Sequence, residues 1–139
     1  MRPDKKNIME KKNENNSAFF MHLTSFCGYL FPFGSIIVPL VVWESMKKES
    51  EKLDRTGKEV LNFNLSYALY ITVLGLIVLA MGISMIFGHY NHLALFFVIS
   101  TAILTGVLVI LKFILIILGS ISAGRGENYR YPATIHFIN

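Results

Sequence analysis

Lys112 is the only Lys, Arg, Asp or Glu between Leu61 and Gly124, and a lone ammonium among so many apolar neighbours is the first place to look for chemistry. Burying that charge costs at least about 2.5–3.5 kcal/mol. The position therefore either serves a substrate or proton path, or its stem carries the charge back toward a polar layer. Counted to Ser122, Lys112 lies ten residues from the polar end of its segment, about 15 Å at helical rise. No carboxylate in that stretch pairs with it, which favours snorkelling toward lipid phosphate or a polar pocket with Asn62 or Asn64. The other spacing of interest is His89 and His92, at i and i+3; a metal site needs further ligands, and the 88–92 turn supplies none. His22 and His136 stand alone. No Ser-His-Asp order, paired carboxylate or phosphate-cradling glycine loop is visible, so the sequence predicts no enzyme, metal or cofactor.

What surrounds Lys112 sets the class of protein. The chain of 139 residues is 53% hydrophobic and only 16% charged, with a mean hydropathy of +0.51. A soluble domain of that size has nowhere to put so much apolar surface. Residues 1–17 are rich in Lys, Asn and Glu and lack periodicity, so they read as a disordered cytoplasmic tail. The remainder, 18–138, reads as one helical membrane domain with three apolar blocks.

The first block, 18–43, is interrupted at Phe31-Pro32-Phe33-Gly34-Ser35 and again at Pro39. Proline pushes its predecessor away from helical geometry and glycine permits a turn, so the block predicts two short helices rather than one long span. A charged loop follows over 44–61, and within it Thr56 and Glu59 have the spacing of a capping box at the start of the second helix. The second block predicts a transmembrane helix over 62–87 and the third another over 93–122, with 123–139 an interfacial tail.

Charge decides between a hairpin and a single kinked helix in the first block. Of the 13 Lys and Arg, five lie in residues 1–17, five in 44–61 and two, Arg125 and Arg130, near the end. A single span would place the two lysine-rich segments on opposite faces, against the positive-inside rule. A broken hairpin that dips in and returns places all twelve on one side. The expected fold is therefore an all-α integral membrane protein: a broken N-terminal helical hairpin plus two transmembrane helices, both termini on the cytoplasmic side of the bacterial inner membrane. The basic charge is juxtamembrane and calls for no nucleic acid.

Small residues suggest how the spanning helices meet. On a helical projection Asn64, Ala68, Gly75 and Gly82 fall within about 40° of one another, as do Thr101, Thr105, Lys112 and Gly119. These two faces are the expected helix-packing seams.

Pro32-Phe33-Gly34, then Pro39 to Trp43, Gly57-Lys58-Glu59 with Asn62-Phe63, and last Tyr129-Arg130-Tyr131-Pro132 with Ile135, Phe137 and Ile138 occur in that order. Together they resemble an uncharacterised family of small bacterial membrane proteins, which is similar in turn to the chloroplast import component Tic-twenty. The sequence departs from that pattern at Val60, Asn64 and His136. The resemblance implies a small helical membrane domain with cytoplasmic termini, in contact with the lipid bilayer and with other membrane proteins. On this basis the expected function is a non-enzymatic subunit or accessory of a larger membrane complex, associated with protein translocation. The alternative is a channel or small transporter acting as a homo-oligomer, with Lys112 and the broken 31–39 segment lining its path.

Overall fold

The computed structural model describes residues 4–88 and 92–139; His89, Tyr90 and Asn91, and with them most of the turn singled out above, lie outside the described residues. Among the described residues four α-helices form: α1 (Lys5–Leu23), α2 (Gly34–Met46), α3 (Glu51–Ile86) and α4 (His92–Gly124), with a 3-10 segment, Thr24–Tyr29, continuing α1. No strand occurs among the described residues. The chain divides into two compact units, one comprising Met1–Ser66 and Phe113–Asn139, the other Tyr67–Lys112.

In the first unit, the block from Ala18 to Trp43 is split into two limbs. Phe31 to Gly34 form a tight turn closed by the Gly34 N–H donating to the Phe31 carbonyl at 3.1 Å. Pro32 supplies the fixed φ of a turn's second position, and Phe33 adopts φ 61, ψ 2 at its third. Gly34 is required there, because a Cβ would collide with the Cys27 carbonyl oxygen. α2 then runs for 13 residues straight through Pro39, so the second interruption expected at that proline is absent; the ring removes one helical donor without ending so short a helix. The limbs stay together along their length: Gly28 lies against Ser35 near the turn, while at the other end Ala18, Met46, Leu53 and Ala123 close a small core drawn from all four helices.

Two boundaries differ from the sequence reading. Residues 5–17 are helical, where a disordered tail was expected; the polar repeat disguises the first turns of α1, which are held by Asn15 hydrogen-bonding Lys52 across to α3. The 44–61 segment is mostly helix, since α3 begins at Glu51, and Thr56 and Glu59 sit in its interior rather than at its start. The cap is Ser50, whose Oγ accepts the Leu53 N–H at 3.1 Å, and Glu51 and Asp54 place negative charge in the first turn, where the helix dipole favours it. At 36 and 33 residues, α3 and α4 carry the two stretches long and apolar enough to cross a membrane.

In the second unit a stripe of half-buried positions runs through Ile71, Leu74, Val78, Met81 and Met85 on α3, with Ala68 and Gly82 also half-buried, and through Ala94, Val98, Thr101, Thr105 and Leu108 on α4. Both stripes advance by alternating steps of three and four residues, the repeat that keeps one seam toward a neighbouring helix. Thr101 and Thr105 fall on this stripe, and the Thr105 hydroxyl is tied to the Thr101 carbonyl of its own helix at 2.8 Å. Gly75 and Gly82 do not make the expected close approach: a Cβ at either would meet nothing within 4 Å. Of the two, Gly82 is half-buried and Gly75 exposed.

Replacing Ser50 with Ala should lower stability by about 1 kcal/mol, read as a fall in the thermal midpoint in detergent, whereas Gly75→Ala should raise it by about 1 kcal/mol through helix propensity alone. A neutral Ser50→Ala variant, or a destabilised Gly75→Ala variant, would show that these assignments are wrong.

Candidate functional site

The polar residues of the first unit converge beneath the C-terminal segment. Asn62, one turn inside the buried part of α3, reaches the chain end three times: its Oδ1 accepts the N–H groups of Phe137 and Ile138 at 2.9 and 2.8 Å, and its Nδ2 donates to the Ile138 carbonyl at 2.9 Å. One turn on, Ser66 Oγ accepts the Ile135 N–H at 2.8 Å and sits 2.7 Å from the Asn62 carbonyl. An extended segment with no sheet to join has thus had its backbone groups satisfied by side chains of a helix.

Between these contacts and α1, Phe63 stacks on Tyr131 with ring centroids 3.8 Å apart and planes 12° from parallel. The Tyr131 hydroxyl lies 2.7 Å from His22 Nδ1, and with the imidazole in its Nε2–H tautomer the phenol donates. Tyr129 meets the Tyr131 ring edge-on at 5.0 Å. Gly119 of α4 makes room for the pair, because a Cβ there would stand 2.6 Å from the hydroxyl and 2.9 Å from Nδ1. Burial holds the His22 pKa down at about 4 and pushes that of Tyr131 upward, so both groups are neutral across the physiological range.

A second knot fixes the end of α2. The Trp43 ring occupies the space over Gly57, which a Cβ would fill; its Nε1–H donates to Asp54 Oδ1 at 3.0 Å, and Asp54 Oδ2 pairs with Lys58 at 2.8 Å. Beside it, Glu59 lies 3.7 Å from His136. A cleft of about 180 Å³ opens there, lined by Arg55, Thr56, Glu59, Asn128, Tyr129 and Arg130, a mixed set of charges and aromatic edges suited to a headgroup layer.

The structure thus brings most of the motif residues into one interlocked cluster. Trp43, Gly57 and Lys58 share one knot; Asn62, Phe63 and Tyr131 share the other. Glu59, Tyr129 and Arg130 line the cleft, while Pro32, Gly34 and Pro39 belong to the hairpin, and Pro132 is exposed in the terminal segment. Asn64 is buried but packs away from the expected seam, donating to Ser25 Oγ at 2.7 Å and to the Val60 carbonyl at 2.9 Å. Ala68 is half-buried, and Lys112 is buried at 9% exposed. His22, Ser25, Asp54 and Ser66 were missed by sequence reasoning, because their partners lie 11 to 109 positions away. Among the described residues no group of three metal-ligating side chains forms.

A helical protein with two stretches long and apolar enough to cross a membrane, in which several buried polar side chains tie distant chain segments together, has the character of a small integral membrane protein. The chain belongs to the magnetosome magnetite crystal formation protein family, MamF/MmsF, whose model matches residues 13–138. No curated protein and no solved structure matches it. Membership of this family overturns the resemblance to Tic-twenty, and with it the expected association with protein translocation.

Protonating His22 separates folded from unfolded states. The folded pKa, about 4, lies below the 6.5 of an ordinary imidazole because the ring is buried, so the unfolded chain binds the proton first. Stability is complete above pH 6.5 and is lost as pH falls toward 4, by roughly 3 kcal/mol at most. His22→Phe should flatten that dependence, and Gly119→Ala should destabilise at every pH; thermal unfolding in detergent between pH 7.5 and 4 checks both.

Proposed function

We propose that the chain serves magnetite crystal formation as a non-enzymatic organising subunit of the membrane, holding a folded polar layer at one surface through which it meets other magnetosome proteins. The observation that carries this reading is the commitment of the buried polar groups. Asn62, Asn64, Ser66, His22 and Tyr131 are each engaged with another part of the chain. Recognition is left to the exposed rim, where Glu10, Lys11 and Lys12 of α1 face outward. The family's role in crystal formation supplies the process.

Both termini lie on the cytoplasmic side in this reading, because twelve of the 13 cationic residues then share one face. In a bacterial host, on a Cys27→Ser background, cysteines at Asn13, Ser50 and Asn128 should be shielded from an impermeant reagent added to spheroplasts, and one at His92 should react. Labelling of Asn13 and Ser50 from opposite faces would overturn the orientation.

The functional test is crystal size measured by electron microscopy. A strain lacking the chain should form crystals of altered size, and the wild-type chain should restore them. Lys11→Glu combined with Lys12→Glu should reach the magnetosome membrane yet restore size incompletely. Full restoration by that variant would show that recognition does not run through the rim.

A further inference from the structure

The hairpin formed by the 3-10 segment and α2 is too short to cross a bilayer, and its depth can be read against α4. Asn15 of α1 lies beside Gly126, Phe19 beside Gly124 and His22 beside Gly119, and farther along, Phe26 and Tyr29 pack edge-on against Phe113. The descending limb thus follows α4 inward from its C-terminal end. From Ser122, the polar end of the apolar run, to Phe113 is nine residues, about 14 Å at helical rise, close to half of a hydrocarbon core about 30 Å thick.

The tip is built for hydrocarbon. Leu30 is 82% exposed and Phe33 71% exposed, with Phe31, Ile37 and Val41 also on the outside. Lipid-facing backbone must satisfy its own polar groups. Leu30 and Phe31 both donate to the Cys27 carbonyl, Gly34 donates to Phe31, Ile36 and Ile37 donate to Phe33, and Pro32 has no N–H to satisfy. Phe33 sits at φ 61, in the left-handed region where glycine is at ease and an aromatic residue is strained. A bulky apolar side chain is kept there against the preference of the backbone, and it is among the most exposed large apolar side chains of the described residues. Strain retained at such a position points to use of the side chain.

The base of α2 is followed by Lys47, Lys48 and Glu49, which hold that end in water. An element that is apolar at its tip, charged at its base and half a bilayer long occupies one leaflet only. We propose that residues 24–46 form a single-leaflet wedge, whose tip seats among acyl chains and whose added volume in that leaflet favours membrane curved convex toward the base of the hairpin. The proposal does not depend on which side the base faces, so it stands or falls separately from the orientation above.

The test uses the full chain reconstituted into phosphatidylcholine–phosphatidylglycerol vesicles. With Trp43→Phe removing the only tryptophan, Phe33→Trp should be quenched most strongly by lipids brominated near the end of the acyl chain and not by aqueous iodide. Quenching by iodide would mean that the tip reaches an aqueous surface, and absence of quenching by brominated lipid would mean that it is covered by protein; either overturns the wedge. In parallel, wild-type protein should shift vesicles toward smaller diameter with increasing protein-to-lipid ratio. Leu30→Ser combined with Phe33→Gly should lose that shift. The glycine relaxes the turn, and unchanged Trp43 fluorescence in this second variant verifies that the hairpin remains folded. A double variant that remodels vesicles as well as wild type refutes the proposal.

Discussion

A chain that leaves a helix beside a membrane must find partners for its backbone N–H and C=O groups, and Asn62 is where this protein meets that demand. A single carboxamide answers two N–H groups and one carbonyl of the terminal segment, and Ser66 extends the same service to Ile135. With the tail fixed, Tyr131 is held over Phe63 and its hydroxyl is delivered to His22, which in turn seats the end of α1 against Gly119. The contacts of the first unit follow from one another in that order. Removing the amide of Asn62 would expose three backbone groups at once, each costing about 1–3 kcal/mol if left buried and unpaired.

The N-terminal block solves the same problem by a different route. Each limb is too short to span and too apolar to sit in water, so the chain turns back through Pro32 and Phe33 and bonds its own turn internally. The limbs are then anchored at the far end by the Trp43–Asp54–Lys58 relay. Lys47 lies over the Trp43 ring at 5.0 Å, a cation–π contact that adds to the grip of an exposed helix end.

The two long apolar helices were legible in the sequence because hydrocarbon imposes length and composition directly, and these survive without knowledge of any contact. The turn at 31–34 was legible for a similar reason, since proline and glycine act on their own backbone. The start of α3 was not: Thr56 and Glu59 have the spacing of a capping box, but Ser50 with Glu51 and Asp54 provides an earlier start that the lysine-rich surroundings conceal. Of the expected α3 seam Asn64 is buried, Ala68 and Gly82 are half-buried and Gly75 is exposed; neither glycine makes a close approach, since glycines mark where helices can approach, not where they do. The candidate cluster was visible as a set of motif residues, yet its wiring was hidden. Nothing in a linear reading says that His22 meets Tyr131 rather than a solvent molecule.

That meeting has a consequence for how this chain can drift over generations. Gly119, His22 and Tyr131 share one small volume, in which the hydroxyl stands 2.7 Å from the imidazole and a Cβ on Gly119 would intrude on both. An enlarged residue at 119 becomes acceptable only after 22 or 131 has shrunk, and a shrunken residue at either leaves a hole that favours enlargement at 119. Three positions scattered across the gene therefore behave as one epistatic unit, and a chimera that joins the first half of one lineage to the second half of another inherits a mismatch there even when each parent folds.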